Sequence, residues 1–516
     1  MNSETFDLLF QNARVVDGSG SPSFRADVGI VGDRVAAVGP LSGAQAARRI
    51  DVSGKVLCPG FIDVHVHSEL DLLSGAASEA RIRQGITTDI MSSDGFSLAA
   101  LSPHRMDEMC EYLAPFYGPR RPSWNWRTYA EYLERFDRRI ALNVLPQVPF
   151  NTLRVEAMGW EARPPARDEL EKMKAMAREM MEAGATGLQL GLDYYPAAHA
   201  SIEETTAVAK VVAQYGGLVS CHLRNYGRRP KEAVEEMVSV SRGSGAPIHF
   251  SHFFDGERID ALRRDGVDVT FDAYPYMAGC TSLLFYLPPS LQTGSPAQIL
   301  ARLADPRERE RFRAEATAHM VRGPNSLDDL VFASLSTAEN QRLLGKTLSQ
   351  AINESGKEPV DFAADLLVQE RLMPLLISHW HNEERLRGAL THPLHMVSSD
   401  GVFQGGRLHP RAYGAFPKIL REAVRERRWL SLEEAVRKMT GAPAARFRLR
   451  ARGLLQPGMA ADTVVFAPET ITDRSTYEDG RQYAEGVEYV TVNGRLVLDG
   501  GRMTEELPGR VVGARA

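Results

Sequence analysis

The middle of this chain alternates in a way that leaves few folds open. Apolar, strand-like runs fall at residues 61–66, 87–91, 141–145, 186–190, 218–221, 247–250, 267–271 and 395–398, and amphipathic segments such as 167–183 and 202–215 separate most of them. Strands that alternate with amphipathic helices imply parallel βα units. Eight such units over this length predict an α/β fold, a (β/α)8 TIM-like barrel. In that fold, functional groups sit at the C-terminal ends of the strands.

The two chain ends have a different texture. Residues 6–58 carry short β-rich runs broken by turns, such as Asp17-Gly18-Ser19-Gly20 and Gly32-Asp33, and the C-terminal part repeats the pattern at 462–466, 487–492 and 496–498. Alternating short strands and turn residues read as antiparallel meanders. Neither piece is large enough to bury a core alone. The expected organisation is a small β-sandwich built from 1–58 and 448–516, with a catalytic barrel at 59–447 inserted between them. A charge-rich stretch at about 283–376 reads as helices inserted over one barrel mouth, as a lid would be.

Composition excludes several function classes. With 61 basic against 66 acidic residues and no basic block, the chain has no electrostatic footprint for nucleic acid or an anionic membrane. No apolar run approaches the roughly 18 residues of a membrane span, and Met1-Asn2-Ser3-Glu4-Thr5-Phe6-Asp7 lacks the basic and apolar regions of a signal peptide. Cys58, Cys110, Cys221 and Cys280 show no paired short spacing, as expected of reduced thiols. These features predict a cytoplasmic protein with a small-molecule partner. The oligomeric state, a homo-oligomer included, stays open.

The barrel reading makes the strand ends the place to look. The first run ends in His65-Val66-His67, whose side chains share one face because residues two apart on a strand point the same way. The second ends in Ser92-Ser93-Asp94-Gly95, the fifth in Cys221-His222-Leu223-Arg224 and the sixth in His249-Phe250-Ser251-His252. The seventh leads into Asp272-Ala273-Tyr274-Pro275-Tyr276, and the eighth into Ser398-Ser399-Asp400-Gly401. Each motif alone is weak. Together they bring His65, His67, Asp94, His222, His252 and Asp400 to one face as candidate metal ligands. Alternation turns His249, Cys221 and His395 to the opposite side, as structural residues, and His379 and His381 read as surface or core positions. Imidazoles and carboxylates suit a divalent borderline ion such as zinc, one or two per site. Such an ion polarises a carbonyl and acidifies water. Asp400 is the candidate base and Tyr274 a candidate donor to an oxyanion.

The chain resembles the amidohydrolase superfamily and, within it, the N-acyl-D-amino-acid deacylases. The resemblance runs nearly end to end. Its most specific pieces are Pro59-Gly60-Phe61-Ile62-Asp63-Val64-His65-Val66-His67, Gly85-Ile86-Thr87-Thr88, Tyr194-Tyr195-Pro196-Ala197-Ala198, Ser399-Asp400-Gly401 and His409-Pro410-Arg411. It implies hydrolysis of an N-acyl-D-amino acid to a carboxylate and a free D-amino acid, with metal ligands at the four histidines and Asp400 as metal-associated base. It also implies that Arg411 and Tyr194 hold the substrate α-carboxylate. Arg224 and Cys280 complete the candidate substrate-binding set.

Three departures mark this chain. Asp94 stands where these deacylases usually carry a cysteine ligand, so a harder carboxylate that can bridge two ions replaces a thiolate. Phe254 stands where the family often places a lysine. Cys280 replaces a usual serine, and Tyr286 lies near where members acting on acidic substrates place an arginine. A substrate side chain that is apolar or neutral is therefore expected. The competing readings are a cyclic-amide hydrolase of the hydantoinase or dihydroorotase type and a non-catalytic assembly protein that has kept the fold without the metal. The intact ligand set weighs against the second.

Overall fold

A computed structural model describes residues 5–75, 78–121, 123–225, 229–321 and 326–513. Among these residues, the expected eight runs are parallel strands. One sheet pairs His395–Val397, Val269–Ala273, Ile248–Phe250, Leu218–His222, Gly187–Gly191 and Val148–Pro149 in that order, and a second pairs Phe61–Asp63, Ile86–Ile90 and Asn143–Leu145. The chain itself joins the two sheets between Leu145 and Val148. At the other edge the His65 carbonyl accepts from Asp400 N at 2.8 Å, and His67 N donates to the Gly401 carbonyl at 3.0 Å. The architecture is the amphipathic-helix-wrapped barrel that the alternation predicts.

Local chemistry explains the elements. Strands Gly187–Gly191, Leu218–His222 and Val269–Ala273 are buried at every position, which is why they lack the alternation of a half-exposed strand. Helix Arg167–Ala183 buries Met173, Ala177, Met180 and Met181 on one stripe and stops at Gly184, whose φ of 118° lies where a side chain would be strained. Helix Ile202–Gln214 starts where Ser201 Oγ accepts from Glu204 N at 3.2 Å.

Both chain ends enter one nine-stranded sheet, counted over the described residues. Strand Val56–Pro59 pairs antiparallel with Thr463–Phe466, so the two ends meet just before the chain enters the barrel at Phe61. Leu8, Phe10, Val15, Val28, Ile30, Leu57 and Val465 form its core. Its first strand, Phe6–Val15, is broken by a register shift between Phe10 and Ala13, where Asn12 has φ 61°.

The insertion is more than helices. Besides Pro296–Ala304, Pro306–Val321, Leu348–Ser355 and Pro359–Gln369, the structure has an antiparallel sheet in the order Ala278–Ser282, Leu375–His379, Leu330–Ser334. Its strands are five residues each and pair across long stretches of chain, so no local pattern announces them. No helix among the described residues is long and apolar enough to cross a membrane.

Candidate metal centre and substrate cavity

The strand ends converge as expected. Asp94 lies at the centre of the cluster. Its Oδ1 is 3.4 Å from His65 Nε2 and 3.6 Å from His222 Nδ1, and its Oδ2 is 3.6 Å from His67 Nε2. Asp400 Oδ1 lies 3.8 Å from His65 Nε2 and 3.4 Å from His67 Nε2, while His222 Nδ1 faces His252 Nε2 at 3.0 Å. The ligand atoms fall into two triads, His65–His67–Asp94 and Asp94–His222–His252, that share the one carboxylate. All six side chains are buried.

The residues present fit a divalent cation. Both ring nitrogens of His65 and Asp94 Oδ1 are buried without a hydrogen-bond partner, a costly arrangement unless a further ligand binds them. Burial pulls the His65 and His252 imidazoles well below the ordinary histidine range, and the neighbouring His222 and Arg411 add to it. Neutral imidazoles have a lone pair available for a metal. Asp94, His252 and Asp400 have φ of 57°, 38° and 47°, so three of the six candidate ligands sit in the left-handed region, where strain in non-glycine residues collects at functional sites.

A charged network behind the cluster sets these strand ends. Asp63 Oδ1 accepts from His65 N at 3.3 Å and Ser399 N at 2.9 Å. Arg81, fully buried, bridges Asp63, Asp89 and Ser399 Oγ. Asp272 does the same for the sixth and eighth strands, accepting from His252 N at 2.9 Å and Ser398 Oγ at 2.6 Å. His249 bonds Thr270 Oγ1 at 2.8 Å and Asp272 Oδ2 at 2.9 Å, the structural placement expected of it. His395 faces the Ala273 carbonyl, and His381 is exposed near Asp329.

The cluster opens into a cavity of about 330 Å³. Tyr274 and Cys280 line it, and burial pushes the Cys280 thiol up to about 11. Two of the expected substrate-binding groups also have partners in the protein. Arg411, 1% exposed, places Nη1 2.8 Å from Asp400 Oδ2, donates Nη2 to the Cys280 carbonyl at 3.4 Å and lies over the Tyr274 ring at 4.7 Å. Burial alone would raise the Asp400 carboxyl, but the Arg411 guanidinium outweighs it and holds the group well below the usual carboxylate range. Arg224 meets Glu236 at 2.8 and 2.9 Å and donates to the Ala198 and Ala200 carbonyls. Its charge and its donors are matched within the wall of the cavity. Tyr194 packs on His222 with ring centroids 4.5 Å apart.

Other lining residues escaped the sequence reading. Asp193, whose Oδ2 is 3.9 Å from His222 Nε2, lies just past the fourth strand and was findable by the same strand-end rule. Phe116, Phe285, Trp380 and Arg385 come from helix Pro103–Tyr117 and from the insertion and its flank, where no periodicity points at a barrel mouth.

Comparison with known proteins settles the family. The profile of the amidohydrolase family matches residues 48–498. The chain belongs to the amidohydrolase family. A D-aminoacylase of Alcaligenes xylosoxydans xylosoxydans is 33% identical over 100% of this chain and 99% of its own length. The crystal structure of N-acyl-D-glutamate deacylase from Bordetella bronchiseptica, complexed with zinc and a phosphonate mimic of the tetrahedral intermediate, superposes with a TM-score of 0.83 at 30% identity, covering 99% of this chain and 100% of that one. An L-hydantoinase from Arthrobacter aurescens, at TM-score 0.58 and 15% identity over 99% and 100%, shares the fold alone. This amidohydrolase is thus similar over its whole length to D-amino-acid deacylases, one of them solved with zinc bound.

Proposed function

We propose that this amidohydrolase removes the acyl group from N-acyl-D-amino acids, giving a carboxylate and the free D-amino acid. The observation that carries this assignment is the convergence of four histidines and two aspartates in one buried cluster, of which His67, His222, His252 and Asp400 line the cavity and His65 and Asp94 hold orphaned polar atoms. His65, His67, Asp94, His222, His252 and Asp400 would hold one or two divalent ions, Asp94 being the shared ligand. When bound, the ion supplies Lewis acidity and acidifies water.

The chain's own groups do the rest. Asp400 takes the proton of the attacking water on Oδ1, the oxygen on the histidine side, while Oδ2 stays on Arg411. As the water oxygen bonds the acyl carbon and the C–N bond breaks, that proton passes to the amide nitrogen, which leaves as the amine. The Tyr274 hydroxyl donates to the carbonyl oxygen while negative charge builds there. Phe116, Tyr194, Phe254, Phe285 and Trp380 exclude water from the cavity and favour a leaving amino acid with an apolar or neutral side chain. Free Cys58, Cys110, Cys221 and Cys280 suit an enzyme of the reducing cytoplasm.

A panel of N-acetyl-D- and L-amino acids, run with hydantoins and with metal content measured on the same sample, tests the assignment. Release of D-leucine and D-phenylalanine is expected. Ring opening of hydantoins without release of any D-amino acid would move the enzyme to the cyclic amidases. Faster release of D-glutamate than of D-leucine or D-phenylalanine would overturn the side-chain preference.

A further inference from the structure

The turn that presents Asp94 is held in an unfavourable shape. Ser92, Asp94 and Gly95 have φ of 66°, 57° and 74°, and only the last is a glycine. The turn's own backbone bonds, Gly95 N to the Ser92 carbonyl at 3.0 Å and Phe96 N to the Ser93 carbonyl at 3.2 Å, close it without fixing its direction. One side is pinned between His65 and His67, where Ser93 Oγ accepts from Val66 N at 3.1 Å and donates to the Val66 carbonyl at 2.9 Å. The other side is pinned by Asn151.

Asn151 lies in the first turn of helix Phe150–Met158 and is fully buried. Its Nδ2 donates to the Asp94 carbonyl at 2.9 Å and to the Gly191 carbonyl at 3.4 Å, and its Oδ1 accepts from Ala197 N at 2.8 Å. One amide thus joins the Asp94 turn, the end of strand Gly187–Gly191 and the loop beyond that strand. The backbones approach closely, since a Cβ on Gly191 would lie 2.3 Å from the Asp94 carbonyl oxygen. The next residue, Leu192, donates its N–H to the His222 carbonyl at 3.0 Å, and Asp193 and Tyr194 after it line the cavity. A primary amide carries two donors and an acceptor on one planar group, whereas an ionised aspartate of the same shape only accepts.

We propose that Asn151 is a positioning residue that fixes the Asp94 carboxylate and the cavity wall at 193–197 in one relation, so that metal affinity depends on a side chain outside the candidate ligand set. The inference rests on the metal-centre reading and deepens it. Groups that orient ligands from outside the coordination shell typically change metal affinity by about 10–100-fold.

The test measures zinc affinity by competition with a chromophoric chelator, and the visible spectrum of the cobalt-substituted protein, in the full-length wild type, Asn151→Asp, Asn151→Ala and Asn143→Asp. Asn143 is the control, an equally buried asparagine that bonds Asp462 at 3.1 Å and Asn493 at 2.8 Å, away from the cluster. Urea midpoints are expected to fall in all three variants. Zinc affinity falls about tenfold or more, and the cobalt bands shift, only in the two Asn151 variants. Asn151→Asp keeps the acceptor for Ala197 N, so at saturating zinc its KM for N-acetyl-D-leucine stays within about twofold of wild type, while Asn151→Ala raises it further. Zinc affinity and cobalt bands that match the wild type in both Asn151 variants, or that change equally in Asn143→Asp, overturn the role of Asn151 and leave the metal centre standing. A wild-type protein that binds no zinc overturns the metal-centre reading with it.

Discussion

Arg411 holds Asp400 in a buried ion pair, Nη1 to Oδ2 at 2.8 Å, with only 1% of the arginine exposed. Removing one member leaves the other charged and unpaired in the interior, which costs about 3–5 kcal/mol. Arg411→Met is therefore expected to lower unfolding free energy by that order in urea titrations. It should also cut turnover at least tenfold, because Asp400 loses the group that keeps it ionised and aimed. Wild-type turnover in Arg411→Met would detach the pair from the chemistry.

In the proposed mechanism Asp400 carries the proton, so its acid–base capacity can be separated from metal retention. Asp400→Asn keeps the side-chain shape, and the remaining five ligands still define both triads. Metal content is expected to stay near that of the wild type while kcat falls by roughly 10²–10⁴. Turnover that survives in Asp400→Asn would remove Asp400 from the proton path.

Asp94 is the carboxylate shared by both candidate triads. Asp94→Ala should lower bound metal more than His222→Ala, since it takes one ligand from each triad rather than from one. Elemental analysis after dialysis reads this directly. Equal losses in the two variants would mean that Asp94 belongs to a single ion.

Lys438 offers a pH signature away from the metal centre. Burial lowers its ammonium from the ordinary lysine value to about 8, although Glu434 pulls the other way, and Nζ donates to the His392 carbonyl. A lysine whose folded value is depressed binds its proton less readily when folded than when unfolded. Between about pH 8 and the unfolded value near 10.4 the unfolded state holds more protons, so this residue makes stability rise with pH there and contributes no slope below pH 8. Urea midpoints of Lys438→Met against wild type at pH 7.5, 9 and 10.5 check the sign: the variant's advantage should shrink as pH rises. A constant difference would contradict the depressed value.

The amino-acid sequence by itself determined the eight parallel strands and the candidate residues at their ends. Both are written in local periodicity. An apolar run of the right length makes a strand buried on both faces, and the residue at its C-terminal end faces the barrel mouth, as His65, Asp94, His222, His252 and Asp400 do. Only the tertiary structure decided what the arginines do. Arg224 and Arg411 look alike in the sequence, and only the fold places Glu236 beside one and Asp400 beside the other. The sheet Ala278–Ser282, Leu375–His379, Leu330–Ser334 was hidden for the same reason. Charge matching and short-strand pairing depend on contacts between residues far apart in the chain, and no spacing rule along the chain reports them.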